Sequence, residues 1–298
     1  MAKRKLFSVL LLMAALAQIC FCHNKAASCQ VQQALAQDSQ NSSQTNLEPD
    51  YVYQKQRLEQ DIAELKRTLL GQLEEYSQQE RKYNIAVNQY KTLKTLKSIE
   101  DAVGAAREAM LLRNQVLETY LNLLRLKLIN SQGIELAEKQ KAREWLERDI
   151  NDLREFTQRV EPVNDRVQLN QLADEFLSLG GRIQETAAYA SSLLEIGQMQ
   201  AIHDKAVVIA DRIETKQATT SSALTKARNR PALKETERLM TDIKQRLDEV
   251  WLDLAEVDES RDKAYRIFYK YLADDLSPIY SRLAQLISYF EELLKNDK

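Results

Sequence analysis

Glycine and proline are scarce in this chain, 6 and 4 among 298 residues, where background usage of roughly 7% and 5% predicts about 35 in all. Turns and active-site loops draw on those two residues. The deficit excludes a collagen-like chain and points to long helices with few connections. Cysteine is equally rare. Cys20, Cys22 and Cys29 are the only three and all precede residue 30, which excludes a disulfide scaffold and removes thiolate metal sites and cysteine nucleophiles from the rest of the chain. Hydrophobic residues make up 44% and charged residues 29%, a balance that excludes a fully disordered chain.

Charge of one sign is missing from the start of the chain. Residues 1–36 contain Lys3, Arg4, Lys5 and Lys25 but no Asp or Glu, leaving 38 basic against 44 acidic residues beyond them, a net charge of −6. That sign argues against nucleic acid as a partner, since nucleic-acid binding rests on a basic surface.

What is present at the N-terminus reads as an export signal: the basic MAKRK, then an apolar stretch from Leu6 to Cys22. The preferred cleavage is the A-x-A site Ala34-Leu35-Ala36 before Gln37, which yields a cysteine-free product. The alternatives are cleavage after Ala17, an uncut membrane anchor, and lipidation at Cys29 after Ala26-Ala27-Ser28. All four place the rest of the chain outside the cytoplasm, with any membrane contact made through the N-terminus. Residues 37–50 (QDSQNSSQTNLEPD) are polar and read as a flexible tether. Within it, Asn41-Ser42-Ser43 matches a glycosylation sequon and is read as a chance occurrence.

From Tyr51 onward the apolar spacing predicts an all-α fold, an elongated antiparallel bundle of helical hairpins, divided into regions 51–161 and 162–298 with the boundary between 162 and 181. Leu58, Ile62, Leu65, Leu69, Leu73 and Tyr76 form a seam that Tyr76, Tyr83 and Tyr90 continue at sevenfold spacing. Ser98 reads as the start of a second helix that stops near Gly133, and Pro162 ends or kinks a third that carries Trp145, Leu146, Ile150, Leu153 and Val160. A shorter helix with Leu169, Leu172, Phe176 and Leu179 is expected to close at Gly180-Gly181. The small-residue stretch from Ile183 to about Gln217 suits a central helix. Asn229-Arg230-Pro231 is expected to punctuate the chain before the regular heptads Met240, Ile243, Leu247, Val250, Leu254 and Val257. Ser277-Pro278 opens a last helix with Ile279, Leu283, Leu286 and Phe290 on its buried face. No repeat of about 34 or 40 residues is detectable, so a solenoid is disfavoured.

The run EYSQQERKYNIAVNQYKTLKTLKSIEDAVGAAREAMLLRNQVLETYLNLLRL resembles a family of exported, all-helical bacterial proteins without an assigned activity. The resemblance implies an exported helical hairpin and carries over no substrate, cofactor or catalytic residue.

The chemistry-bearing residues do not assemble into a motif. His203 is the single histidine beyond residue 30, and position 200 is Gln where a di-iron bundle needs Glu. No H-E-x-x-H, G-x-S-x-G or phosphate-binding glycine loop occurs. The pairs Glu74-Glu75, Asp274-Asp275 and Glu291-Glu292 read as solvated faces, since glycosidase chemistry needs two carboxyls across a cleft. No cofactor, metal or catalytic residue is expected. Candidate interaction residues are Lys91, Lys94 and Lys97, which step by three and could meet anions, and the Tyr265, Tyr269 and Tyr271 cluster, which could stack on sugar or protein. The functional expectation is a non-enzymatic structural or protein-interaction module of the cell envelope, whose partner is another envelope protein or a second copy. An amphipathic membrane-surface protein and an enzyme with an unrecognised site between helices are the alternatives.

Overall fold

The computed structural model describes residues 49–220, 223–257, 261, 264 and 276–295. The readings at Ala34, Ala36, Gln37 and Cys29 lie outside the described residues, as do Tyr265, Tyr269 and Tyr271. The described chain is all-α, without a strand among the described residues. Its helices are α1 (Pro49–Leu93), α2 (Leu96–Asn130), α3 (Leu136–Val160), α4 (Arg166–Thr220), α5 (Ala223–Ala255) and α6 (Leu276–Lys295). None of the described helices is long and apolar enough to cross a membrane.

α1 and α2 form a tight hairpin. Lys94 adopts φ 52 and its N–H closes α1 on the Tyr90 carbonyl at 3.0 Å. Thr95 then caps α2: Ser98 N–H donates to Thr95 Oγ1 at 3.2 Å, and Thr95 N–H donates to Ser98 Oγ at 3.0 Å. The helix therefore starts at Leu96, two residues before Ser98, which is the reciprocal partner of a capping box rather than the cap itself.

α4 is the axis of the molecule. Its 55 residues span roughly 80 Å at ~1.5 Å per residue, passing uninterrupted through Gly180-Gly181. This corrects the expected helix end. Neither glycine has positive φ. The flanking Phe176 and Ile183 are buried, and that burial outweighs a helix penalty of about 1 kcal/mol per glycine. α4 packs against α2, α3, α5 and α6; its Arg182 and Thr186 meet Asp149 of α3, and its His203 meets Met240 of α5. Ala187, Ala188, Ala190, Ser191 and Ser192 are buried, in keeping with a central small-residue helix.

Gly133 turns the α2–α3 corner onto α4. It has φ +75, and a Cβ there would run into the Gly197 carbonyl and lie 2.8 Å from the Ala201 nitrogen. Glycine at both 133 and 197 lets the corner touch the helix.

Pro231 also departs from expectation, because it lies inside α5. The carbonyl it leaves without its i+4 donor belongs to Ala227, an exposed residue. Thr236, Leu239 and Ile243 are buried just beyond it and hold the helix to the core. Of the heptad residues, Ile243, Leu247, Val250, Leu254 and Val257 are buried as their spacing predicts, whereas Met240 is half-buried beside the buried Leu239; Ile279, Leu283, Leu286 and Phe290 are buried too. α6 begins at Leu276, which places Ser277-Pro278 in its first turn. In the α1 seam only Leu69 is buried outright. α1 is an outer helix, packed chiefly on α2.

Candidate functional site

The residues singled out by sequence separate in space. Lys91 and Lys94 are exposed at the end of α1, whereas Lys97 stands on α2 and pairs with Asp101 at 2.8 Å. Their three-residue spacing thus straddles a helix junction. His203 is buried, with Nε2 3.1 Å from the Met240 carbonyl and Nδ1 3.4 Å from Asp204 Oδ1. Only a protonated Nε2 can donate to that carbonyl, so the ring ties α4 to α5. Glu74, Glu75, Glu291 and Glu292 are exposed. Among the described residues, no group of three His, Cys, Asp or Glu side chains could hold a metal ion.

Two arrangements emerge that the sequence reading missed. The first is a buried ionic clamp. Asp149 on α3 and Arg261, beyond α5, are both almost wholly inaccessible, and Arg261 Nη1 donates to Asp149 Oδ2 at 3.0 Å. Thr186 Oγ1 on α4 donates to the same carboxylate oxygen at 2.5 Å, and Arg182 Nε reaches Oδ1 at 2.9 Å. The Arg261 guanidinium lies 4.8 Å above the Trp145 ring, which packs 4.9 Å from the Tyr189 ring. Desolvation lowers the Arg261 pKa, while Asp149 opposes that shift. Arg261 is held at φ 61, a conformation with a real cost for a residue bearing a side chain. Both Asp149 oxygens are engaged, so the clamp joins three segments.

The second is a groove of about 380 Å³ between α1 and α4, floored by α2. Tyr76, Glu80 and Tyr83 form one wall, Ala106, Ala109, Met110 and Arg113 the floor, and Leu169, Asn170, Ala173 and Leu177 the other wall. A second hollow of about 140 Å³ shares Tyr83, Ala106, Leu169 and Asn170 with it and continues to Tyr90. There Arg166 Nη1 donates to the Tyr90 hydroxyl at 2.7 Å. The sevenfold tyrosine spacing read as a bundle seam therefore lines the side of this groove.

The electrostatics of the groove are unusual for a bundle surface. The Arg113 guanidinium carbon sits 3.3 Å from the centre of the Phe176 ring. Its Nε and Nη2 are shielded from solvent and have no hydrogen-bond partner. Desolvation pushes the Arg113 pKa down to about 10, against a smaller opposing influence of Tyr76. Burial, and then the charge of Glu80, pushes the Tyr76 phenol up to about 12. Burial also raises the Glu80 carboxyl and the Tyr83 phenol. The signal in the sequence is a cation on an apolar register: residue 113 stands three after Met110 and four before Leu117, where the stripe of α2 calls for an apolar side chain. Chemically, the groove offers apolar surface, neutral phenols and one unmatched guanidinium, an arrangement suited to binding.

Compared with protein-family models, curated protein sequences and solved structures, the chain matches none of them.

Proposed function

We propose that this protein is a non-enzymatic, exported interaction module that works by surface contact in the cell envelope. The observation that carries the reading is the placement of α1, 45 residues long and packed chiefly on α2, so that much of its length stays open to a partner. Leu70 and Ile85 are 57% and 58% exposed along it. Support also comes from the fate of the groups that catalysis would need: His203 is bonded to a backbone carbonyl and Asp149 to Arg261, Arg182 and Thr186. The apolar run from Leu6 to Cys22 supports export.

Site-specific photo-crosslinking in the producing cells tests this. A crosslinker at position 70 or 85 should give one discrete adduct, absent when the crosslinker stands at 208, another exposed site on α4. Hydrolytic activity abolished by His203→Ala, with no adduct from α1, would overturn the reading.

A further inference from the structure

Donors on a charged group are the most costly to bury without a partner, and Arg113 presents two. Nε–H and Nη2–H lie along one edge of the planar guanidinium, nearly parallel, in the geometry that a carboxylate meets with two hydrogen bonds. Phe176 covers one face of the group at 3.3 Å and so holds that edge in a defined plane. Arg113 lines the groove together with Tyr76, whose charge state it influences. From Tyr76 to Tyr90 the wall runs about 21 Å at ~1.5 Å per residue, over a floor of small and apolar side chains.

We propose that this groove binds a single-chain amphiphile with a carboxylate head, the head reaching the shielded Nε–Nη2 edge of Arg113 as the groove opens to admit it and the chain lying along the tyrosine-lined wall. The other charged groups narrow the ligand class. Glu80 and Asp174 also line the groove and disfavour a second negative charge, which selects a monoanion over a phosphate dianion. At the far end Arg166 is engaged by Tyr90, and Lys91 is exposed, where water and salt screen it. The tail end therefore has no call for a second anionic group. This inference stands apart from the surface-contact reading, since a partner could dock on α1 whether or not the groove holds a ligand.

Displacement of the fluorescent fatty acid cis-parinarate from the full chain tests it. Parinarate should bind saturably at one site per chain. Dodecanoate should displace it at least about tenfold better than its methyl ester or dodecyl phosphate. Arg113→Met should weaken dodecanoate by at least about tenfold and leave the ester unchanged. Ala109→Trp, which fills the floor, should weaken both. Circular dichroism establishes that each variant is folded, and if Arg113→Met is not, Arg113→Lys takes its place, with the charge kept, the fork lost and dodecanoate still weakened. No saturable binding, equal displacement by acid and ester, or unchanged affinity in the folded Arg113 variant overturns the proposal.

Discussion

Asp149 and Arg261 are 112 positions apart in the chain and meet at 3.0 Å in the interior. Their contact joins α3 to the segment beyond α5, and Thr186 adds α4 to the same junction. Removing one partner of such a pair leaves an uncompensated buried charge, whereas removing both does not. Asp149→Ala should therefore cost about 3–5 kcal/mol of stability in urea denaturation. The double variant Asp149→Leu, Arg261→Met should recover most of that loss. Additive single effects would show that the pair does not act as a unit.

The glycines of α4 and of the α2–α3 corner should respond in opposite directions. Around Gly181 a Cβ meets nothing within 4 Å, so Gly181→Ala should stabilise by about 0.5–1 kcal/mol as a helix-interior replacement. Gly133→Ala must adopt positive φ and run into α4, and should destabilise by more than the roughly 1–2 kcal/mol of left-handed strain alone. Thermal melts of the two variants check both, and loss of stability in the first would restore a helix end at 180–181.

The cap at the hairpin turn is a separate, local quantity. Thr95→Ala removes the acceptor for Ser98 N–H and should cost about 1 kcal/mol. Ser98→Ala should cost less than Thr95→Ala, because it spares that acceptor while losing the return bond. Equal stability of all three proteins in urea would show that the box contributes nothing.

Glu80 sets a pH dependence. Its carboxyl is raised by desolvation, so between its ordinary and raised values the folded state holds more proton than the unfolded one. Stability must then fall as pH rises through that window. Glu80→Gln should be more stable than the parent at pH 7, and the advantage should vanish once the pH drops below the ordinary carboxylate range. A constant difference across that range would remove the desolvation argument. The same carboxylate should make dodecanoate binding tighter as pH falls toward the raised value, provided dodecanoate itself stays ionised.

Much of the architecture was legible in residue order alone. Periodicity is a property of neighbours three and four apart, so Ile243, Leu247, Val250 and Leu254 declare a buried helical face before any partner is known. The misreadings at Gly180-Gly181 and Pro231 share one cause. Both residues weaken a helix locally, and local preference loses when flanking side chains such as Phe176, Ile183 and Leu239 are anchored in the core.

Spacing and composition, then, were enough to specify an all-helical chain and the apolar stripes of its helices, because both depend on short-range pattern. Position in the folded molecule was needed to join Asp149 to Arg261, to lay Tyr76, Tyr83 and Tyr90 along a groove, and to place Arg113 against Phe176 with one edge unmatched. A charged residue looks alike in sequence whether water or protein surrounds it, and only the packing of distant helices determines which of the two it meets.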